Sequence, residues 1–501
     1  MQMDDAAESL QPPAPQSDLL PASADQPPPQ NPPPPEPNYD QENVTVEKGE
    51  LHGTVEVGGA KNCGPKLMIA ACLAQGTTTL RNMPVIGDVK VTTEILESLG
   101  AQVKYGENDT IVIVVPDKID KWVVPETAGE VSRISILAAG MLLARFGKAE
   151  IPLPGGDRIG NRPIDVHLEG LKALGATIDE TSKSGWILLS ADNGLKGCDY
   201  RLKLPSHTAT ENLVMAATRA SGKTTLHNCA REPEVDALVE HLIKAGANIK
   251  IIDPENPAGE RTIEIDGVTQ MHGVDTQVIA DRNAVVTYAV AALTSGSKEG
   301  VFIKNAEAAH IGSFLELITE MDGSYEAKDG GIRFYMKDGA KLTAPKRTVI
   351  TCPHPGISSD KYIGIMTDWQ ALVSALFMTA EGDTRLIETM YPSRFHHLTA
   401  LQNAKPELID FFDPKESDPL IEYVFTEDPS HSPHGAIIHG KGRESLPKIT
   451  VEGKDVRLGA FGILYGVAAG AEIIGTRQMR RGYHQIIEKF RGLGAKLTSS
   501  L

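Results

Sequence analysis

Four short stretches of this sequence carry side chains that could do chemistry. LPGGDRIGNRPIDVH (153–167) sets Asp157, Arg158 and Arg162 beside two adjacent glycines and between apolar runs. VGGAKNCGPK (57–66) puts Lys61 and Asn62 in a glycine-rich turn at the head of an apolar helix. A helix N-terminus with a lysine nearby is a natural anion site, though the same residues also suit a plain turn. CPHPGISSDKYIGIMTDWQAL (352–372) ends in Asp368 just before an apolar helix, where an aspartate could serve as a proton acceptor or simply as an N-cap. QMRRGYHQIIEKF (478–490) brings two arginines ahead of a further helix, as an anion clamp or as a basic surface loop. Asp157 poses a conflict of its own. An aspartate with an ordinary pKa of about 3.9 is a poor acid at neutral pH, and neighbouring arginines lower it further unless water is excluded.

These stretches interrupt a repeat. A helix rich in small residues runs into a glycine and then a short β-branched strand, at AQGTTTLRN (74–82), RFGKAEIPL (145–153) and ASGKTTLHN (220–228). The pattern returns at TSGSKEGVFIKN (294–305), AEGDTRLIE (380–388) and AAGAEIIGT (468–476). The glycines stand at 76, 147, 222, 296, 382 and 470, so six units of about 70–90 residues fill residues 46–501. A second signature, a helix ending at a glycine before a strand, follows at ILESLGAQV (95–103), GLKALGATI (170–178), HLIKAGANI (241–249) and KFRGLGAKL (489–497). ELITEMDGSY (316–325) is a worn copy. The fifth unit lacks the signature, and its polar, proline-dotted residues 405–436 read as an insertion. Six helix–strand–helix–strand units imply an α/β architecture with helices packed on sheets.

Composition narrows the partners. The 501 residues have a formal net charge of −17, which disfavours nucleic acid and anionic membranes. Residues 1–45 hold twelve of the 33 prolines, with seven acids before Gln41 and no Lys or Arg. That segment is expected to be disordered, with polyproline II character, and is conceivable as a ligand for a proline-binding partner. The five cysteines are scattered and form no CxxC pair, which suggests reduced thiols in a cytoplasmic chain. No stretch of 18 apolar residues occurs. His354, His396, His397, His431 and His434 show no metal-ligand spacing, so neither metal nor cofactor is expected.

The four loops and the sixfold repeat together resemble the enolpyruvyl transferase (EPSP synthase) family, in order, over about residues 46–501. GGAKN and RPIDVH, with AREPEVDALVEHL (230–242) and RRGYHQIIEKFRGLGA (480–495), are most similar to its branch acting on UDP-N-acetylglucosamine. The resemblance implies a two-domain inverted α/β barrel of six βαβαββ repeats. Residues 46–60 plus 280–501 would form one domain and 61–279 the other, with residues 153–165 as a lid closing on the cleft between them. The implied reaction opens peptidoglycan synthesis. It moves the enolpyruvyl group of phosphoenolpyruvate to the 3′-hydroxyl of UDP-N-acetylglucosamine and releases phosphate, by addition and elimination through a tetrahedral intermediate.

Carried onto this chain, the resemblance assigns Lys61, Arg133, Arg162, Arg394, Arg457 and Arg481 to the anions, and Asn62 to a place beside phosphoenolpyruvate. Asp368 becomes the base and Asp157 the acid; Asp455 stands near the lysine and takes part in proton handling. Arg162, Pro163, Ile164, Asp165, Val166, Leu204, Pro205, Ser206, His207 and Met390 contact the nucleotide. There are departures. Asp157 replaces the cysteine of most members, which implies resistance to the epoxide fosfomycin. Gln478 stands where histidine is expected and Thr208 where glycine is common. The loop before Asp368 is about six residues long in excess, so Asp360 competes for the base role. Two other readings remain at this point: a non-catalytic nucleotide-sugar-binding paralogue with a regulatory or scaffolding role, and a sister transferase with another acceptor.

Overall fold

The computed structural model of the chain describes residues 38–155, 164–256, 259–352, 358–391, 393–418, 421, 423–424 and 432–501. Among the described residues the repeat becomes six small sheets. All six repeat glycines adopt the left-handed conformation, with φ between +68° and +105°, which lets each helix turn directly into its strand. The helices ahead of them are Gly64–Ala71, Leu137–Phe146, His207–Ala217, Arg282–Thr294, Gln370–Thr379 and Val456–Ala469. Behind each of the first five glycines come the strand, a second helix and a hairpin, while in the sixth unit the N-terminal strand Asn43–Val46 completes the sheet with Leu497–Ser499. In the first unit Gly76–Arg81 pairs antiparallel with Ile111–Val115, which pairs with Gln102–Tyr105, while Asp275–Gln277 adds a parallel edge. The worn copy of the second signature keeps its turn by a different route: Asp322, not the glycine, takes positive φ, at +62°.

Two hydrophobic cores form. One gathers Val44–Val57 with residues 280–497, and the other residues 60–278. Each is centred on three of the repeat helices, which are apolar around most of their circumference because other elements cover every side. Small residues let them approach closely: a Cβ on Gly140 would lie 2.2 Å from the carbonyl oxygen of Asn212 on the facing helix. The chain crosses between the cores twice, side by side. Gly59 and Ala280 form a bridge there, Ala60 N donates to Ile279 O at 2.8 Å, and Asp281 N to Gly58 O at 3.0 Å.

Two boundaries differ from the sequence reading. Disorder is expected through residue 45, yet Asn43–Val46 is an inner strand of the sixth unit's four-stranded sheet, paired antiparallel with both Ala471–Ile474 and Leu497–Ser499. Glu42 is buried just before it. Composition alone misassigned these residues, because their partners lie more than 400 positions away. Residues 1–37 lie outside the described residues. The supposed insertion at 405–436 is also narrower. Ile409–Phe412 and Gly435–Lys441 are the fifth unit's own hairpin, so the added chain is only the connection between them.

Candidate active site

The six repeat helices share one further property: residues at the N-terminal end of every one line a single cavity of ≈ 310 Å³. Lys61, Asn62 and Lys66 come from the first, Ser132, Arg133 and Ile134 from the second, and Ser206, His207 and Thr208 from the third. Arg282, then Thr367 and Asp368, then Asp455, Val456 and Arg457 come from the other three. Backbone N–H groups and helix dipoles at such ends favour anions. Side chains add to this, with Lys61, Lys66, Arg133, Arg282, Arg394, Arg457 and Arg481 facing Asp88, Asp165, Glu232, Asp368 and Asp455 among the described residues. An acidic protein thus holds a cavity suited to an anionic ligand.

Asp368 sits inside the short turn Thr367–Trp369, and its side chain makes no capping bond, so the N-cap reading fails. Its Oδ1 accepts from Arg394 Nη2 at 2.7 Å. Its Oδ2 accepts from Asn62 and Asn283 Nδ2, each at 3.4 Å, with Arg457 Nη2 3.8 Å away. Burial pushes this carboxyl up, but Arg394 and Arg457 outweigh burial and hold it far below the usual carboxylate range. Asn283 is itself oriented, its Oδ1 accepting from the buried Trp369 indole at 2.8 Å. Arg394 also donates to Thr367 Oγ1 at 2.9 Å, and Arg457 bonds the Tyr483 hydroxyl. Asp360, the competing candidate, is remote from this group and lines a separate hollow with Lys346, Arg347, Lys361 and Arg385.

A second cluster joins the two cores across the cavity. Asp88 Oδ2 lies 2.9 Å from Lys61 Nζ, and its Oδ1 accepts from Arg481 Nη2 at 3.2 Å. Burial raises the Asp88 carboxyl; the two cations more than offset it and keep it below its ordinary value. Asp281 and Asp455 cap their helices, the latter accepting from Arg457 N at 2.7 Å and Leu458 N at 2.9 Å. Asp455 is therefore committed to two backbone donors. Met390 and Tyr391 are shaped by buried Glu388, which accepts from their backbone N–H groups at 2.8 and 3.2 Å.

Of the sequence candidates, Lys61, Asn62, Arg133, Asp165, Val166, Leu204, Pro205, Ser206, His207, Asp368, Met390, Arg394, Asp455, Arg457 and Arg481 line the cavity. Ile164 does not; it packs, partly buried, against the core of residues 60–278. Asp157, Arg162, Pro163, His354 and His431 lie outside the described residues. Sequence reasoning missed Asp88, Lys66, Arg282, Glu232 and Asn283. Arg282 and Asn283 follow Asp281, whose capping position at the head of the fourth repeat helix was the available signal.

Six sheets around two cores, with a cationic cavity at six helix ends, define the enolpyruvyl transferase fold. The crystal structure of the enolpyruvyl transferase NikO from Streptomyces tendae aligns with TM-score 0.72 at 21% identity, covering 92% of this chain and 99% of that one. EPSP synthase from Acinetobacter baumannii aligns with TM-score 0.63 at 17% identity, over 92% and 100% of the two chains. In sequence, the family model of EPSP synthase (3-phosphoshikimate 1-carboxyvinyltransferase) matches residues 46–490. UDP-N-acetylglucosamine 1-carboxyvinyltransferase of Chlamydia pneumoniae is 34% identical over 456 residues, 90% of this chain and 93% of that protein. The chain belongs to the EPSP synthase family and is a transferase.

Proposed function

We propose that this protein transfers the enolpyruvyl group of phosphoenolpyruvate to the 3′-hydroxyl of UDP-N-acetylglucosamine and releases phosphate. The reading is carried by the convergence of Arg394 and Arg457 on Asp368 within a cavity ringed by helix N-termini. Both substrates are anionic. Lys61, Arg133, Arg162, Arg394, Arg457 and Arg481 hold the phosphate and carboxylate, with Asn62 beside phosphoenolpyruvate. Pro163, Asp165, Val166, Leu204, Pro205, Ser206, His207 and Met390 hold the nucleotide with Arg162, and Asp455 keeps Arg457 in place by capping its helix.

Asp368 is the base that takes the 3′-hydroxyl proton. In the free protein its oxygens are saturated with donors, which suppresses basicity. Substrate anions that draw Arg394 and Arg457 away raise its proton affinity when the acceptor arrives. Asp157 is the acid that protonates the phosphoenolpyruvate methylene. The bodies built on residues 46–60 plus 280–501 and on 61–279 close as domains, carrying the 153–165 loop over the cleft and excluding water from Asp157. The enzyme works in the cytoplasm, and the proline-rich segment offers a site for a proline-binding partner.

The test is phosphate release by purified protein, which should require both substrates and no added metal. Stabilisation by the nucleotide sugar without turnover would favour the non-catalytic alternative. Fosfomycin should not inhibit, because the carboxylate of Asp157 is a far weaker nucleophile than a thiol. Peptide mapping after incubation with fosfomycin should find residue 157 unmodified, and an adduct there would refute the assignment.

A further inference from the structure

In the wall of the cavity lies a buried cluster that the reaction outlined above leaves unused. Two cations and three carboxyls meet there. Arg282, at the head of helix Arg282–Thr294, engages Glu234 of helix Pro233–Lys244, with Nε donating to Oε1 at 3.0 Å and Nη2 2.9 Å from Oε2. Lys66, on helix Gly64–Ala71, engages Glu211 of helix His207–Ala217, donating to Oε1 at 2.8 Å, and also donates to His207 Nδ1 at 3.0 Å. Each cation is thus committed to one carboxyl. The third carboxyl, Glu232, precedes helix Pro233–Lys244 and lines the cavity, yet it is only 8% exposed. Its Oε2 is buried and has no hydrogen-bond partner among the described residues.

A buried carboxylate oxygen without a donor costs more than a neutral acid in the same place, whose O–H then needs only an acceptor that a ligand can supply. The groups facing Glu232 do not reverse this. Burial, the largest effect, pushes the carboxyl up to about 7 against Arg282, the residue's own backbone N–H and Lys66, which lower its proton affinity, with Glu234 raising it. Glu211 is likewise pushed up to about 7 by burial, with Glu232 and Glu234 adding to the shift and Lys66 opposing it.

We propose that Glu232, as a neutral carboxylic acid, donates a hydrogen bond to an anionic phosphate oxygen of the substrate. Substrate holds it protonated, and its ionisation would set one negative charge against another. The inference rests on the transferase reading and identifies a substrate-binding donor of that same site. The shared chemistry is a phosphate oxygen, which either the phosphate of phosphoenolpyruvate or the diphosphate of the nucleotide sugar supplies.

The test is the pH dependence of kcat/KM for each substrate, since this quantity reports ionisation of the free enzyme. Wild type should lose about tenfold per pH unit above neutrality for the substrate that Glu232 contacts. Glu232→Gln keeps the donor and cannot ionise, so its profile should be flat across the same range. A Glu232→Gln variant with the wild-type limb, or a limb abolished by Glu211→Gln alone, would overturn the proposal. Wild type supplies an independent measurement through calorimetry at pH 8 in buffers of different ionisation enthalpy. About one proton should be taken up per substrate bound, because binding favours the protonated acid. Absence of uptake with both phosphoenolpyruvate and the nucleotide sugar would also overturn it. Wild type that binds with proton uptake but releases no phosphate would sink the transferase reading and leave Glu232 as a binding group.

Discussion

Asp368 shows how a side chain's chemistry depends on neighbours far apart in sequence. Its oxygens meet Asn62, Asn283, Arg394 and Arg457, drawn from four separate segments. Its position before an apolar helix suited an N-cap equally well, and only the family resemblance of its motif marked it as a base. Its rival Asp360 could be set aside only when the chain was folded. Asp88, Lys66 and Glu232 were invisible, since each looks like ordinary helix-surface polarity until a distant partner arrives. Asp368→Asn should reduce kcat by about 10²–10⁴-fold while leaving nucleotide-sugar binding by calorimetry nearly unchanged. Retention of near-normal turnover would remove Asp368 from the reaction.

Elements were more legible than their edges. The glycines and the Leu-Gly-Ala endings marked helix-to-strand turns because L-residues resist the left-handed conformation that those turns demand. What failed was the assignment of segments whose pairing is non-local, above all Asn43–Val46 and Ile409–Phe412. The first is anchored by Glu42, which bonds Arg480 Nε and Nη2 at 2.8 Å each, Ser499 Oγ at 2.6 Å, and Thr476. Arg480 adjoins Arg481, so the root of the N-terminal strand holds the short helix Arg477–Gly482 that delivers a cavity arginine. Burial raises the Glu42 carboxyl, but the Arg480, Ser499 and Thr476 bonds prevail and leave it below its ordinary value. A depressed folded pKa contributes stability above the unfolded value and loses it as pH falls through the folded one. Glu42→Gln should therefore cost about 2 kcal/mol in urea melts at pH 7, and the gap from wild type should shrink at pH 3. An equal gap at both pH values would contradict this account.

For the whole molecule, the two cores differ in how the chain builds them. Residues 60–278 are contiguous, whereas the other core needs Asn43–Val46 and His52–Glu56 together with residues 280–497. A fragment spanning 60–279 should melt cooperatively by itself, and one spanning 280–501 should not until a peptide of residues 38–58 is added. A cooperative transition in the second fragment alone would show that the N-terminal strands are dispensable. The paired ends also impose a schedule on the ribosome. The first strand leaves the exit tunnel early, but both of its neighbours are encoded in the last 31 residues. At about 5–20 residues per second, it waits roughly 20–90 s with its hydrogen-bonding edges unfilled. A lone strand in that interval is a template for pairing with other nascent chains. The eight acids and twelve prolines upstream of it work against such pairing, since charge and proline both discourage edge-to-edge association.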